Sequence, residues 1–142
     1  MNRKLLTETL SVSGQLALHD FMDLARSGVK LVINNRPDGE TPGQPTAGES
    51  KQAALRAGLA YSHIPVSFAT LSADEIDRFG KAVAESSGPV HAHCASGARS
   101  ANVWALSQIR RGAMTRGDAI DWAEKHQVDL RPGLAWLDRQ QD

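Results

Sequence analysis

The chain is poor in sulfur and in aromatic residues. It holds one cysteine among 142 residues, and aromatic residues make up 5% of it. A single cysteine cannot form an internal disulfide, so the fold does not depend on oxidation. The simplest interpretation of one free thiol is a small buried hydrophobic side chain. A chemical role for this thiol must therefore be argued from its neighbours in the sequence.

An excess of charge of one sign is absent, and so are long apolar runs. Sixteen Lys and Arg balance sixteen Asp and Glu, which argues against a broad basic surface for nucleic acid or a membrane. No segment approaches the roughly 18 apolar residues of a membrane span, and the first residues turn polar too soon for a signal peptide. We expect a cytoplasmic protein with no nucleic-acid or membrane partner, folded as one domain over residues 1–142.

Strand-like and helix-like segments alternate along the chain, and no hairpin turn signals separate them. This order predicts an α/β fold of three layers, with a mainly parallel sheet of four to five strands flanked by helices. Ligands of such sheets bind beyond the carboxyl ends of the strands. The patterns predict strands at residues 10–14, 29–34, 60–66 and 89–93, and helices at residues 18–26, 50–59, 72–85, 100–111, 115–125 and 134–140.

Residues 34–50 contain three prolines and three glycines, so the sequence predicts an irregular loop. A loop of this length in a small domain is usually functional or mobile. Arg36 is a candidate for a second contact to an anion, and Asp38 or Glu40 for an acid. Asp38 also lies between Pro37 and Gly39, which is ordinary turn chemistry. Both interpretations of Asp38 stay open.

The cysteine lies between a short apolar strand and a predicted helix. The small residues after it let backbone amides turn inward as an anion-binding nest, and the helix directs its positive end to the same place. Arg99 adds a bidentate cation. Such donors favour a reactive thiolate. We therefore predict that Cys94 and Arg99 are catalytic, with an anion-binding loop of Ala95, Ser96, Gly97, Ala98 and Ser100.

Two histidines precede the thiol. His91 and His93 would share one face of a strand, and Cys94 would point to the other face. A zinc site needs three or four converging ligands, and no further ligand lies nearby in the sequence. We therefore expect no metal and no cofactor. His93 is predicted to support the loop or the thiolate, and His91 to be a buried histidine with satisfied hydrogen bonds.

The loop resembles that of the protein tyrosine and dual-specificity phosphatases, whose signature is His-Cys-x5-Arg-Ser/Thr. His93, Cys94, Arg99 and Ser100 match it, although only four residues separate Cys94 from Arg99. The whole chain is more similar to the bacterial family of the beta-lactamase-hydrolase-like protein, phosphatase-like domain. The matching segments are residues 10–15, 33–40, 63–66, 94–100 and 104–106. The resemblance implies a cysteine-phosphatase-like fold.

The same resemblance implies that sulfur chemistry is possible, because members of this family are also catalogued as sulfur transferases. Some relatives are joined to persulfide dioxygenase domains, which makes such an enzyme a possible partner. Rhodanese-type sulfurtransferases have a loop of the shorter, four-residue length. Dual-specificity phosphatases carry an aspartate as general acid at about the position of Phe68, which cannot donate a proton. Sulfite, which leaves from thiosulfate, needs such an acid less.

These departures make a cysteine-dependent sulfurtransferase the leading hypothesis. Cys94 would attack the outer sulfur of thiosulfate or of a low-molecular-weight persulfide, carry the sulfur as a persulfide, and pass it to a thiol or cyanide. Arg99 would bind the anionic donor. One alternative is a phosphatase of phosphotyrosine or a small phosphoester, which acts through a phosphocysteine. The other is a non-enzymatic module that binds an anion or a partner.

Overall fold

A computed structural model describes residues 1–140 of the chain. Its strands and helices alternate over most of this length, as the sequence predicts. The strands are β1 (Lys4–Leu5), β2 (Leu10–Ser13), β3 (Leu31–Asn34), β4 (Ala60–His63) and β5 (Val90–His93). The helices are α1 (Asp20–Arg26), α2 (Ala47–Arg56), α3 (Ala73–Glu85), α4 (Ala98–Arg110), α5 (Arg116–Lys125) and α6 (Arg131–Arg139).

The strands form one sheet in the order β1-β2-β5-β3-β4. β1 runs antiparallel to β2, and every other neighbouring pair is parallel. β5 lies in the middle, where its last residue, His93, is in register with Ser13 on one side and Asn34 on the other. The loops that follow three parallel strands therefore meet at one edge of the sheet, and the cysteine loop is the central one.

Two hydrophobic clusters hold helices on the sheet. Neighbouring side chains of a strand point to opposite faces of the sheet, so β3 contributes Ile33 to the larger cluster and Val32 to the smaller. The larger cluster joins the sheet to α3, α4, α5 and α6, and its members include Val12, Ile33, Phe79, Trp104 and Trp136. The smaller cluster joins the sheet to α1 and α2, and its members include Phe21, Leu24, Val32 and Ala54. This is the predicted three-layer α/β fold.

The largest differences from the predicted elements are of three residues: β4 ends at His63, α6 begins at Arg131, and α2 both begins and ends early. α2 begins at Ala47 rather than near residue 50, because Thr46 and Glu49 form a capping box. The Glu49 amide donates to Thr46 Oγ1 over 3.1 Å, and the Thr46 amide donates to Glu49 Oε1 over 3.0 Å. The irregular segment therefore ends earlier than its prolines and glycines suggest.

A second difference is β1, which the sequence analysis did not predict. It has only two residues, Lys4 and Leu5, so it is too short for an alternating pattern to appear. The capping box predicted at Ser72 and Glu75 is present at the start of α3. Among residues 1–140, no helix combines the length and the apolar character that crossing a bilayer requires.

Candidate active site

The thiol of Cys94 lies directly after β5 and is fully buried. The Gly97 amide donates a hydrogen bond to Cys94 Sγ over 3.0 Å. Gly97 has a φ of 97°, a left-handed conformation that a residue without a Cβ adopts without strain. This conformation turns the amide toward the sulfur and starts α4 at the next residue. The sulfur therefore lies within hydrogen-bond distance of a fixed backbone donor.

Helix α4 adds its positive end to the same loop. It runs for 13 residues and has no acidic residue in its first turn, and its N-cap residue, Gly97, has no side chain to cap it. The first amide of the helix, that of Ala98, donates to Ser96 Oγ over 3.3 Å. The partial positive charge at its N-terminus therefore remains available to an anion in the loop. The helix start and the Gly97 amide lie where the sequence predicts an anion cradle, and the binding of an anion there stays a prediction.

Arg99 is held beside this loop by Glu40 and by the backbone. Its Nη1 and Nη2 donate to the two Glu40 carboxylate oxygens over 2.7 Å each, and Nη1 also donates to the Val66 carbonyl over 3.1 Å. Glu40 raises the pKa of Arg99, and the nearby Cys94 acts in the same direction. Glu40 contacts the two terminal nitrogens of the Arg99 guanidinium, so Arg99 Nε is not in contact with Glu40.

Glu40 lies between two arginines. Besides the pair with Arg99, Arg36 Nε donates to Glu40 Oε1 over 2.9 Å, and Arg36 Nη1 donates to Gln15 Oε1 over 3.0 Å. The Arg99 and Arg36 guanidinium groups lower the pKa of Glu40 to about 2, with Arg99 as the larger cause and burial as a smaller opposing one. Glu40 is thus an anion at neutral pH and has no proton to donate. It acts as a clamp that orients Arg99.

Asp38 lies outside this cluster. It is exposed, and its Oδ1 accepts a hydrogen bond from the Ala47 amide over 2.8 Å, at the start of α2. This contact ties the long loop to the helix, so the turn interpretation accounts for Asp38 without a catalytic role. Its role as an acid stays a prediction. The carboxylate that reaches the arginines belongs to Glu40, four residues after Arg36.

Ser100 and Asn35 connect α4 to the end of β3. The Ser100 hydroxyl donates to Asn35 Oδ1 over 2.8 Å, and Asn35 Nδ2 donates to the Ile64 carbonyl over 2.9 Å. The Asn35 amide donates to the His93 carbonyl over 2.7 Å. The Ser100 side chain is therefore engaged with Asn35, and its place among the anion-binding residues stays a prediction. The local sequence around Asn35 carries no signal of this role, because its contacts come from three separate segments.

The two histidines are both fully buried but differ in their contacts. His91 is hydrogen-bonded through both ring nitrogens, to Ser11 Oγ and Ser13 Oγ over 2.8 Å each. The ring nitrogens of His93 have no hydrogen-bond partner among the described residues. Burial lowers the pKa of His93 to about 4, and the backbone of Cys94 opposes this. No group of three His, Cys, Asp or Glu side chains within residues 1–140 could hold a metal ion.

The position expected for a phosphatase aspartate holds Phe68, which is partly buried against the larger hydrophobic cluster. Asp74 and Glu75 lie in the first turn of α3, where Glu75 closes the capping box.

A cavity of about 570 Å³ adjoins the outer side of the cysteine loop. Ser96, Gly97 and Ala98 line it together with the end of β2, the N-terminal segment and residues 127–129.

Gly14 lies in van der Waals contact with the cysteine loop. A Cβ at this position would lie 2.7 Å from the Ala95 carbonyl oxygen, which belongs to the backbone and cannot rotate away. We expect Gly14→Ala to lower the free energy of unfolding by about 1–3 kcal/mol. Chemical denaturation measures this. Gly117→Ala is the control without a clash, because its nearest neighbour is 3.8 Å away in helix α5; a Gly14→Ala variant as stable as the parent would contradict the prediction.

Known sequences show the family of this chain. The family described as beta-lactamase hydrolase-like protein, phosphatase-like domain, matches residues 2–111. The chain belongs to this family. A beta-lactamase hydrolase-like protein of Agrobacterium fabrum is 41% identical over 135 residues, and one of Xylella fastidiosa is 39% identical. Each alignment covers 95% of this chain, which spans about a third of the relatives' length (31%).

Solved structures place this phosphatase-like domain among the cysteine phosphatases by fold. A candidate phosphatase from Neisseria meningitidis is 30% identical, with a TM-score of 0.79 and 92% of each chain covered. P. aeruginosa TpbA, in a complex with phosphotyrosine, has a TM-score of 0.70 at 18% identity and covers 94% of this chain and 81% of its own. The prediction of the family and fold is confirmed, and the chain is a phosphatase-like domain. The comparisons give no support to the prediction of sulfur transfer.

Proposed function

We propose that this chain is a cysteine-dependent phosphoester hydrolase. The observation that carries the proposal is the Gly97 amide on Cys94 Sγ, next to a guanidinium that Glu40 holds in place. This arrangement joins a nucleophile to donors for a phosphoryl group's oxygens. Family membership and the fold neighbours support the same class of reaction.

The reaction has two steps. The Cys94 thiolate attacks phosphorus, so an S–P bond forms while the P–O bond to the leaving group breaks. Water then attacks the phosphocysteine, the S–P bond breaks, and phosphate and the thiolate are released. Arg99 and the loop amides stabilise the charge on the phosphoryl oxygens in both steps.

The leaving group in the first step takes its proton from water, because the position of the phosphatase aspartate holds Phe68 and Glu40 is ionised. A phenolate leaves without a proton far more easily than an alkoxide does, and general acids contribute about 10²–10⁴-fold where they act. We therefore propose aryl phosphoesters, such as phosphotyrosine or a small aryl phosphate, as the substrate class.

Sulfur transfer remains a second candidate, because only four residues separate Cys94 from Arg99. Cys94 would take the outer sulfur of thiosulfate, release sulfite, and pass the sulfur to a thiol or cyanide. A low-molecular-weight persulfide would serve as donor in the same way. A persulfide dioxygenase as a partner belongs to this candidate alone.

A paired assay separates the two candidates. We expect the purified chain to release p-nitrophenol from p-nitrophenyl phosphate, and Cys94→Ser to abolish this activity. Thiocyanate formation from thiosulfate and cyanide is measured on the same samples. Thiocyanate without p-nitrophenol would overturn the hydrolase proposal in favour of sulfur transfer. Absence of both, in a folded chain that still binds vanadate, would overturn both and favour an anion-binding module.

A further inference from the structure

A buried row of hydrogen bonds leads from the edge of the sheet to the cysteine loop. Arg3 Nε donates to Ser11 Oγ over 2.9 Å, and Ser11 Oγ lies 2.8 Å from His91 Nδ1. His91 Nε2 lies 2.8 Å from Ser13 Oγ, which donates to the Gly14 carbonyl over 2.9 Å. Ser11, Ser13 and His91 are each at most 3% exposed.

Burial keeps the His91 ring neutral, so the bond to the Gly14 carbonyl at one end of the row determines the direction of the others. Arginine can only donate, and a carbonyl oxygen can only accept. Each serine hydroxyl has one proton. Ser13 donates its proton to the Gly14 carbonyl oxygen, so its Oγ accepts a hydrogen bond from His91 Nε2–H. His91 Nδ1 is then the acceptor of the Ser11 proton. This assigns His91 to the neutral tautomer with the proton on Nε2.

The last residues of the row form the wall of the cysteine loop. The Cys94 amide donates to the Ser13 carbonyl over 3.4 Å. A Cβ on Gly97 would lie 3.4 Å from both the carbonyl carbon and the carbonyl oxygen of Ser13. Gly14 is in contact with the Ala95 carbonyl. Three loop residues thus rest on Ser13 and Gly14, and one of them supplies the amide that donates to the sulfur.

We propose that His91 is a positioning residue for the reactive thiolate. His91 Nε2–H donates to Ser13 Oγ and so fixes the position of Ser13. The backbone of Ser13 packs against Gly97, and this contact sets the distance between the Gly97 amide and Cys94 Sγ. The inference rests on the proposed function in one respect, that Cys94 acts as a thiolate. It does not depend on whether phosphorus or sulfur is attacked.

The first test measures the reactivity of the Cys94 sulfur. The rate of Cys94 alkylation by iodoacetamide is measured from pH 5 to pH 9 for Ser13→Ala, Ser13→Thr and Ser107→Ala. Ser107 is the matched control, since it is equally buried and bonds only within α4, to the Trp104 carbonyl and Gln108. We expect Ser13→Ala to be alkylated at least about threefold more slowly at pH 6 than the parent, because the Gly97 amide that donates to Cys94 Sγ is no longer held at its distance. Ser13→Thr, which keeps the hydroxyl, should restore the rate.

An alkylation profile of Ser13→Ala that matches the parent and Ser107→Ala would overturn the proposal. The assay uses no substrate, so its outcome is distinct from failure of the phosphatase assay.

The second test needs no variant. Nitrogen-15 NMR of the histidine rings should show His91 protonated on Nε2 alone from pH 8 to pH 5. A proton on Nδ1, or titration of His91 within that range, would also overturn the proposal.

Discussion

Replacing Arg99 with lysine is expected to lower kcat/KM for p-nitrophenyl phosphate by about 10²–10³-fold, although the charge is kept. Arg99 uses both terminal nitrogens on Glu40 and one of them on the Val66 carbonyl. A lysine has one ammonium group, so it cannot keep these contacts and also give a phosphoryl oxygen a second donor. Steady-state kinetics of the two proteins measure the loss.

The control for this prediction lies on the same helix. Arg110 forms a bidentate pair with Asp77, through Nε and Nη2 over 2.8 and 2.9 Å, at the far end of α4 from the loop. Arg110→Lys removes the same kind of contact and should change kcat/KM less than about twofold, since exposed ion pairs contribute little to stability. If Arg99→Lys stays within threefold of the parent, as Arg110→Lys should, the proposed role of Arg99 is wrong.

The cysteine loop could be predicted from the sequence because its parts are local. The strand, the small residues, Gly97 and the start of α4 are contiguous, and their physical effects depend on short-range geometry. The clamp on Arg99 could be predicted only in part. Glu40 stood out as a candidate acid, but it is 59 residues from Arg99. Only the meeting of the two loops makes it an arginine partner with a lowered pKa.

The wall beneath the loop was harder still to foresee. Ser13 and Gly14 look like the ordinary end of a strand, and Asn35 looks like part of a polar loop. Their roles arise from the register that brings Ser13, His93 and Asn34 together across three strands. A pairing register depends on the whole sheet, since a shift of one residue reverses every side chain. The local sequence contains no signal for it.

Lowering the pH from 7.5 to 5 is expected to reduce the free energy of unfolding by about 3–4 kcal/mol. Burial is the main cause that lowers the pKa of His91 to about 3 and of His93 to about 4, against an ordinary value of 6.5. At pH 5 both rings are neutral in the folded chain and charged in the unfolded chain. Unfolding then takes up two protons, so stability is present above pH 6.5 and is lost as the pH falls toward 4.

The carboxylates act in a different window and do not mask this effect. Glu40, with its pKa at about 2, contributes stability that is lost only as the pH falls from about 4.5 toward 2. Urea unfolding at pH 5, 6 and 7.5, followed by tryptophan fluorescence, measures the slope of stability against pH within the histidine window. His19→Gln should leave the slope unchanged, because the side chain of His19 is 80% exposed. Stability that is flat or rises from pH 7.5 to 5 would mean that the two buried histidines become charged within the fold.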